Sequence, residues 1–443
     1  MKIRLLILFF FLSIIGNVSS QFISEVVEDV TSTTLSNSII RKWKNNYSII
    51  CGVDKNKAQI FRCHYNNYYA GSFTGVFGEN IQLPSEISHI NDLRILGDYA
   101  YFCGQTSDNK GFIAFFNINS FFSTNVPINW SIIQEVTQLD KLAAYYDSYN
   151  HSKVVAIGKN DVLNFPNIHR DYIIVEVNDI LLTPTCYYAN LQYNDVLHEV
   201  IFTPSGKLCF VEKYIPNKAL GIRLANPDNV INDPTLENVY YYPSSPEEVL
   251  SPTHSATIDD LLTVSFLDMT SSGSFSTKIR HFDLTSMDMI NAQEFVFDGK
   301  SEPWDFIYYH FYEHKAVLLQ PFEFPAYSGH TQTNFIFLDL DNINPYVTDV
   351  LYHLDQDYYS VDQFGFSYFE ATGGNRRYQH NCSQSLPSGS TCPAQSDIKV
   401  NIINTLPKLH VTTPISPQIS NWANLNFNPS ITTHNGYDNC YER

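Results

Sequence analysis

Short apolar runs closing on Cys-Gly or Ile-Gly recur along the chain at a nearly fixed interval, and a fixed interval restricts a long chain to repeat architectures. They stand at Ile49-Ile50-Cys51-Gly52, Tyr101-Phe102-Cys103-Gly104 and Val155-Ala156-Ile157-Gly158. The same step reaches further apolar runs at 208–211, 264–266, 316–320 and 366–370. Gly52 and Glu370 are 318 residues apart, six steps of 53. A second marker follows each first one, an alternating apolar run leaving into Asn, Asp or a polar turn: 60–66, 112–119, 172–178, 220–226, 278–285, 335–341 and 400–404. The spacing between the two markers varies, as it does for neighbouring strands joined by a loop whose lengthening costs little. A chain of 443 residues also exceeds the 250–300 or so that one core serves, so a repeated unit fits its length.

Each unit has room for four strands rich in Ile, Val, Tyr and Phe between turn residues. In the second unit these are 92–96, 99–105, 111–118 and 131–136; in the third, 141–146, 153–158, 172–177 and 186–191. No segment has a convincing 3.6-residue period, which predicts an all-β chain. Four antiparallel strands repeated seven times resembles the seven-bladed β-propellers, over residues 35–413, through repeat length and strand count rather than a diagnostic motif. The resemblance implies radial four-stranded antiparallel blades around a central channel, each packed on its neighbours. Residues 21–34 form an N-terminal extension and 414–443 a C-terminal tail. Either end could add the strand that closes the circle, and the tail could instead cross one face.

Residues 1–20 have the form of a secretory signal peptide: Lys2 and Arg4, an apolar stretch at 5–15, then Val18-Ser19-Ser20 before Gln21. A secreted, cell-exterior or periplasmic soluble product is the expectation, since no later segment is long and apolar enough to form a transmembrane helix. Eight cysteines, with no C-x-x-C spacing, favour disulfides over zinc in an exported chain. Cys382 and Cys392 are the first candidate pair, closing a loop rich in Gly, Ser, Pro and Asn. Cys51 and Cys63 are the second, as a cross-strand bridge, although isolated buried thiols suit them equally, as they suit Cys103 and Cys209. The net charge of −18 repels phosphates and argues against nucleic acid or a polybasic membrane contact.

Catalytic motifs are set aside one by one. His310-Phe311-Tyr312-Glu313-His314 matches H-x-x-E-H, but its aromatic, branched flanks read as a hairpin, which would separate the two His instead of gathering them on a metal. There is no sialidase Asp-box, G-x-S-x-G elbow, Walker loop or dinucleotide fingerprint, so no cofactor is implied and the catalytic residues are unknown. In the propeller arrangement, connections between second and third strands share one face. The longest, 371–395, carries Arg376, Arg377, Tyr378 and His380; another, 321–333, carries Tyr327 and His330. Arg with aromatic residues on ordered loops suits stacking and bidentate recognition. The function this supports is a binding or scaffold protein recognising a glycan or an extracellular protein. The alternative is a carbohydrate-active hydrolase or lyase with acids at the channel mouth. Nothing in the sequence fixes the oligomeric state.

Overall fold

The computed structural model describes the strands and short turns between residues 25 and 435. The longer connections, among them 65–76, 161–170, 242–250, 324–330, 340–349 and 382–392, lie outside the described residues, as do 1–24 and 436–443. Side chains are described mainly within 35–160 and 197–290. The chain begins with β1 (Glu25–Asp29) and then lays down strands in groups. The first group is β2 (Ser36–Trp43), β3 (Tyr47–Asp54), β4 (Lys57–His64) and β5 (Phe77–Gln82). The second is β6 (Ile87–Leu96), β7 (Tyr99–Thr106), β8 (Gly111–Asn117) and, after a 3-10 turn, β9 (Ile128–Ile133). Next come β10 (Gln138–Tyr146), β11 (Ser152–Asn160), β12 (Asp171–Asn178) and β13 (Thr183–Ala189). The fourth group holds β14 (Asp195–Phe202), β15 (Leu208–Tyr214), β16 (Ala219–Ala225) and β17 (Glu237–Tyr241). The fifth holds β18 (Ser251–Ile258), β19 (Leu261–Met269), β20 (Phe275–Asp283) and β21 (Asp288–Gly299). The sixth is β22 (Asp305–His310), β23 (Lys315–Glu323), β24 (Thr331–Asp339) and β25 (Val350–His353). The last has three, β26 (Ser360–Phe364), β27 (Tyr368–Gly373) and β28 (Arg376–Asn381).

Each group is an antiparallel sheet in chain order, and β1 completes the last one by pairing with β28. The first strands neighbour one another from sheet to sheet, β2 beside β6, then β10, β14, β18, β22 and β26, and β26 lies beside β2. This is an all-β propeller, and the described residues contain no α-helix. None of the described residues form a helix long and apolar enough to cross a membrane.

The apolar seams between sheets explain the first sequence marker. Side chains alternate across a strand. On β7, Ala100 and Phe102 join the seam with the first sheet, while Tyr101 and Cys103 join the seam with the third. On β11, Val154 and Ala156 face back and Val155 and Ile157 face forward. Leu208 and Phe210 of β15 likewise oppose Cys209 and Val211. A second strand is buried on both sides, so it reads as an unbroken apolar run rather than an alternating one.

The glycine closing that run also has a physical cause. First strands carry bulges, with the pairing shifting between Ile90 and Asp92, Leu139 and Lys141, Leu197 and Glu199, and Pro252 and His254. The bulged backbone presses on the next strand. A Cβ on Gly104 would collide with the carbonyl oxygen of His89 and come within 2.9 Å of its carbon. In the fourth sheet Glu212 takes this place, and the neighbouring strand supplies the space through Gly221, directly opposite in register. Glu212 is fully buried beside Arg223, at 3.4 Å.

The chain after β28 departs from expectation. Six short strands, β29 (Pro393–Ala394), β30 (Lys399–Ile402), β31 (Lys408–Thr412), β32 (Ser416–Gln418), β33 (Trp422–Phe427) and β34 (Ile431–Asn435), each add to a different sheet. They pair antiparallel with β25, β21, β17, β13, β9 and β5 in that order, running back around the molecule on its outer edge. Six sheets therefore have five strands instead of four. The run 400–404, expected inside the last unit, is instead the outer strand β30 of the fifth sheet. Both chain ends add strands: the N-terminal one closes the last sheet, and the tail lines sheet edges rather than one face.

Candidate functional site

The inner edge of each sheet is its first strand, whose outward-directed N–H and C=O groups have no further strand to meet. Side chains from the adjacent sheet meet several of them. Asp92, 1% exposed on β6, accepts the N–H of Leu93 at 2.9 Å with one oxygen and that of Leu142 on β10 at 3.0 Å with the other. Glu199 on β14 accepts both the N–H and the hydroxyl of Ser255 on β18, each at 2.7 Å. Asp362 on β26 accepts the N–H of Lys42 on β2 at 2.6 Å. Asn91 donates to the carbonyl of Leu139 at 2.7 Å. Polar side chains thus stitch one inner strand to the next.

Cations complete the arrangement. Arg41 lies 3.5 Å from Asp92 and donates to the Leu93 carbonyl at 3.0 Å. Arg94 approaches the other Asp92 oxygen at 3.3 Å, donates to the Leu142 carbonyl at 3.2 Å, and has Glu199 at 3.8 Å. Burial alone would raise the Asp92 pKa, but the charges of Arg94, Lys141 and Arg41 and the Leu142 N–H outweigh it and hold the carboxyl below its ordinary value. A general acid needs the opposite shift. His198, on the bulge of β14, is pushed down to about 3 by burial, with His254, Lys141 and Lys213 adding repulsion, so it is neutral near pH 7. Its buried Nε2 meets no hydrogen-bonding group among the described residues. Among the described residues no three His, Cys, Asp or Glu are grouped to hold a metal ion.

The residues singled out from sequence fall elsewhere. Arg376, Arg377, Tyr378 and His380 were expected on a long loop, but they form β28, paired with β27 on one side and β1 on the other. The loop expectation failed because Arg-Arg-Tyr-Gln-His-Asn has no apolar run, and two neighbouring strands hold it in the sheet. In register, Asp29 stands opposite Arg376, Glu28 opposite Arg377 and Glu25 opposite His380. Tyr327 and His330 lie outside the described residues, as do Cys382 and Cys392. The Cys51–Cys63 bridge is not formed. Cys51 is a free, buried thiol opposite Ile60, whereas Cys63 stands opposite Ser48, three positions along the strand. Burial pushes the Cys51 thiol up to about 12 and also raises Cys103 and Cys209, both free. His310 ends β22 opposite Lys315 of β23, so the two strands flanking 311–314 form an antiparallel pair, as a hairpin requires.

Sequence reasoning missed the inner-edge set. Its signal was an acid set between a polar residue and an apolar one in the middle of a first strand, Asp92 in Ile-Asn-Asp-Leu and Glu199 in Leu-His-Glu-Val. Such an acid has to find donors when buried.

No family model matches the chain, and no curated protein matches it either. Among solved structures it is similar to one described as YCF48 bound to D1 peptide, at 10% identity and a TM-score of 0.41, covering 84% of this chain and 98% of that one. It is also similar to dipeptidyl peptidase 4 of Porphyromonas gingivalis, at 8% identity and a TM-score of 0.33, covering 77% of this chain and 56% of that one.

Proposed function

We propose that this chain is a secreted binding or scaffold protein, built as one closed seven-bladed propeller, that recognises a glycan or protein through the end bearing its second-to-third strand connections. The seven-bladed reading is supported by the seven sheets and by the circuit of first strands returning from β26 to β2. Secretion is supported by the leader-like residues 1–20.

The observation carrying the binding reading is the use of the inner-edge carboxylates. Asp92, Glu199 and Asp362 accept backbone N–H groups of the next sheet, and Asp92 is held ionised. They act as acceptors that join blades, a role that competes with proton donation to a substrate.

Topology favours a particular cluster. Residues 324–330 connect β23 to β24 and residues 374–375 connect β27 to β28, which are corresponding connections in neighbouring sheets. On that correspondence the proposed contact set joins Tyr327 and His330 with Arg376 and Arg377. His380, four residues further along β28, is about 13 Å away along the strand and falls outside the proposed contact set. Arg376 and Arg377 would supply planar donors to carboxylate or sugar hydroxyl groups, with Tyr327 as a stacking surface.

The test is a thermal-shift screen of the purified mature chain against glycan and peptide panels, with product analysis alongside. Saturable stabilisation without product, weakened by Arg376→Ala, supports the reading. Substrate turnover abolished by a single acid-to-amide substitution would replace it with a hydrolase or lyase.

A further inference from the structure

Beyond residues 1–20 the chain holds four Asn-x-Ser sequences whose middle residue is not Pro, headed by Asn46, Asn129, Asn150 and Asn381. A folded chain tolerates a glycan on such a sequence only where the asparagine stands at its surface. The structure separates the four. Asn129 lies within β9, between Phe115 of β8 and Asn426 of β33, and its Ser131 is fully buried. Ser48, which completes the Asn46 sequence, is also fully buried, on β3 opposite Cys63. Asn381 ends β28 opposite Tyr368, and its Ser383 lies outside the described residues. Asn150 instead stands exposed in the turn from β10 to β11, and Ser152, partly exposed, opens β11.

The turn is built without the Asn150 carboxamide. One carboxylate oxygen of Asp147 accepts the N–H of Tyr149 at 2.9 Å and that of His151 at 2.8 Å. The Asp147 N–H donates to the His151 carbonyl at 2.9 Å, and the Asp147 carbonyl accepts the Asn150 N–H at 2.9 Å. The fourth sheet braces the tip, with the Ser148 N–H donating to Asp228 at 3.1 Å. Asn150 has φ 63, a left-handed conformation that Asn adopts more readily than most residues. On the same turn are Tyr146 and Tyr149, the two exposed large hydrophobic side chains among the described residues. Tyr149 is 77% exposed and stacks on His151 with ring centroids 6.3 Å apart. An aromatic face beside the attachment point offers the apolar side of a sugar ring a surface to pack on.

We propose that Asn150 carries an N-linked glycan whose first sugar rests on Tyr149, an inference that depends on the secretory reading above. The donor is an oligosaccharide on a polyprenyl diphosphate. The Asn150 amide nitrogen bonds to C1 of the first sugar and gives up a proton, while the C1–O bond to the diphosphate breaks and its electron pair leaves with the phosphate. The turn joins a first strand to a second, so in this antiparallel sheet it lies at the end opposite the β11–β12 connection. The glycan therefore leaves the proposed binding end open.

The test is expression of the full chain, with residues 1–20, in eukaryotic cells, followed by peptide mass analysis of the secreted product and nitration by tetranitromethane. The comparison variant is Asn150→Asp, which tolerates φ 63 and matches the side chain left by enzymatic release of a glycan. The expected result is a glycan at Asn150, an unmodified Asn129, and nitration of Tyr149 several-fold slower than in the variant. A secreted chain with Asn150 unmodified overturns the proposal, as does equal nitration of Tyr149 in the two chains. A chain kept inside the cell with residues 1–20 still attached refutes the secretory reading, and the proposal falls with it.

Discussion

Asp92 and His198 are polar groups in the same inner layer with opposite requirements. Asp92 is stable there because it is ionised and fully engaged, by two backbone N–H groups and two guanidinium groups. Asp92→Asn keeps the shape but leaves Arg41 and Arg94 without their shared anion. Breaking a buried pair from one side costs about 3 kcal/mol, and urea denaturation should show a loss of that size. His198 is stable because it is neutral. Its pKa falls to about 3 in the folded chain, against about 6.5 unfolded, so between these values the unfolded state binds the extra proton and stability drops as pH falls. Asp92 adds a loss at lower pH, because its depressed pKa makes its contribution present above the ordinary carboxylate value and lost as pH falls through the folded one. Urea midpoints at pH 7.5, 5.5 and 4.5 should fall more steeply for the native chain than for His198→Gln; parallel curves would contradict the assignment.

At the scale of the strand, packing on both faces made the second strands legible. A run such as Tyr101-Phe102-Cys103-Gly104 is apolar throughout because each side of the sheet abuts another sheet, and its Gly is fixed by the bulge at His89. Gly104→Ala should therefore destabilise the chain by roughly 2–3 kcal/mol, through forced backbone movement. Gly206, with φ +82 and open space around it, should lose less and only through backbone strain. Thermal melts of the two variants compare them directly. Several third strands were legible by their exit into Asn or Asp, as at Asn117, Asn178, Asp283 and Asp339. What the sequence hid were elements whose partners are remote. β28 has little apolar character and is held by β27 and by β1, about 350 residues away in the chain. The tail strands are two to six residues long, too short for a periodic signal, and each depends on a sheet edge made elsewhere. Val400 to Ile402 looked like a strand and is one, but periodicity does not name the sheet it joins. The candidate site was legible only as residue types: Arg376 and Arg377 were noticed for their chemistry and misplaced in their backbone.

For the whole molecule, the two chain ends do different work. Radial sheets packed face to face bury their seams but leave a row of unpaired backbone groups at each outer edge. The tail pairs with six of these edges, passing from sheet to sheet in the reverse of chain order, so it ties neighbouring sheets together by covalent continuity as well as by hydrogen bonds. Under the proposed binding function, sheets held this way would give the loops a rigid base, which is what a binding surface requires. The most direct test of the ring and its returning tail is disulfide trapping across three of the six tail pairings, with cysteines introduced at Asn80 and Thr432, at Asn129 and Asn426, and at Glu294 and Asn401. Residues directly opposite in an antiparallel pair have Cα atoms about 4.5–5.5 Å apart, within disulfide reach. The account predicts a cross-link in each matched pair and none in the mismatched pair Asn80 and Asn401; equal yields for matched and mismatched pairs, or none in the matched ones, would contradict it.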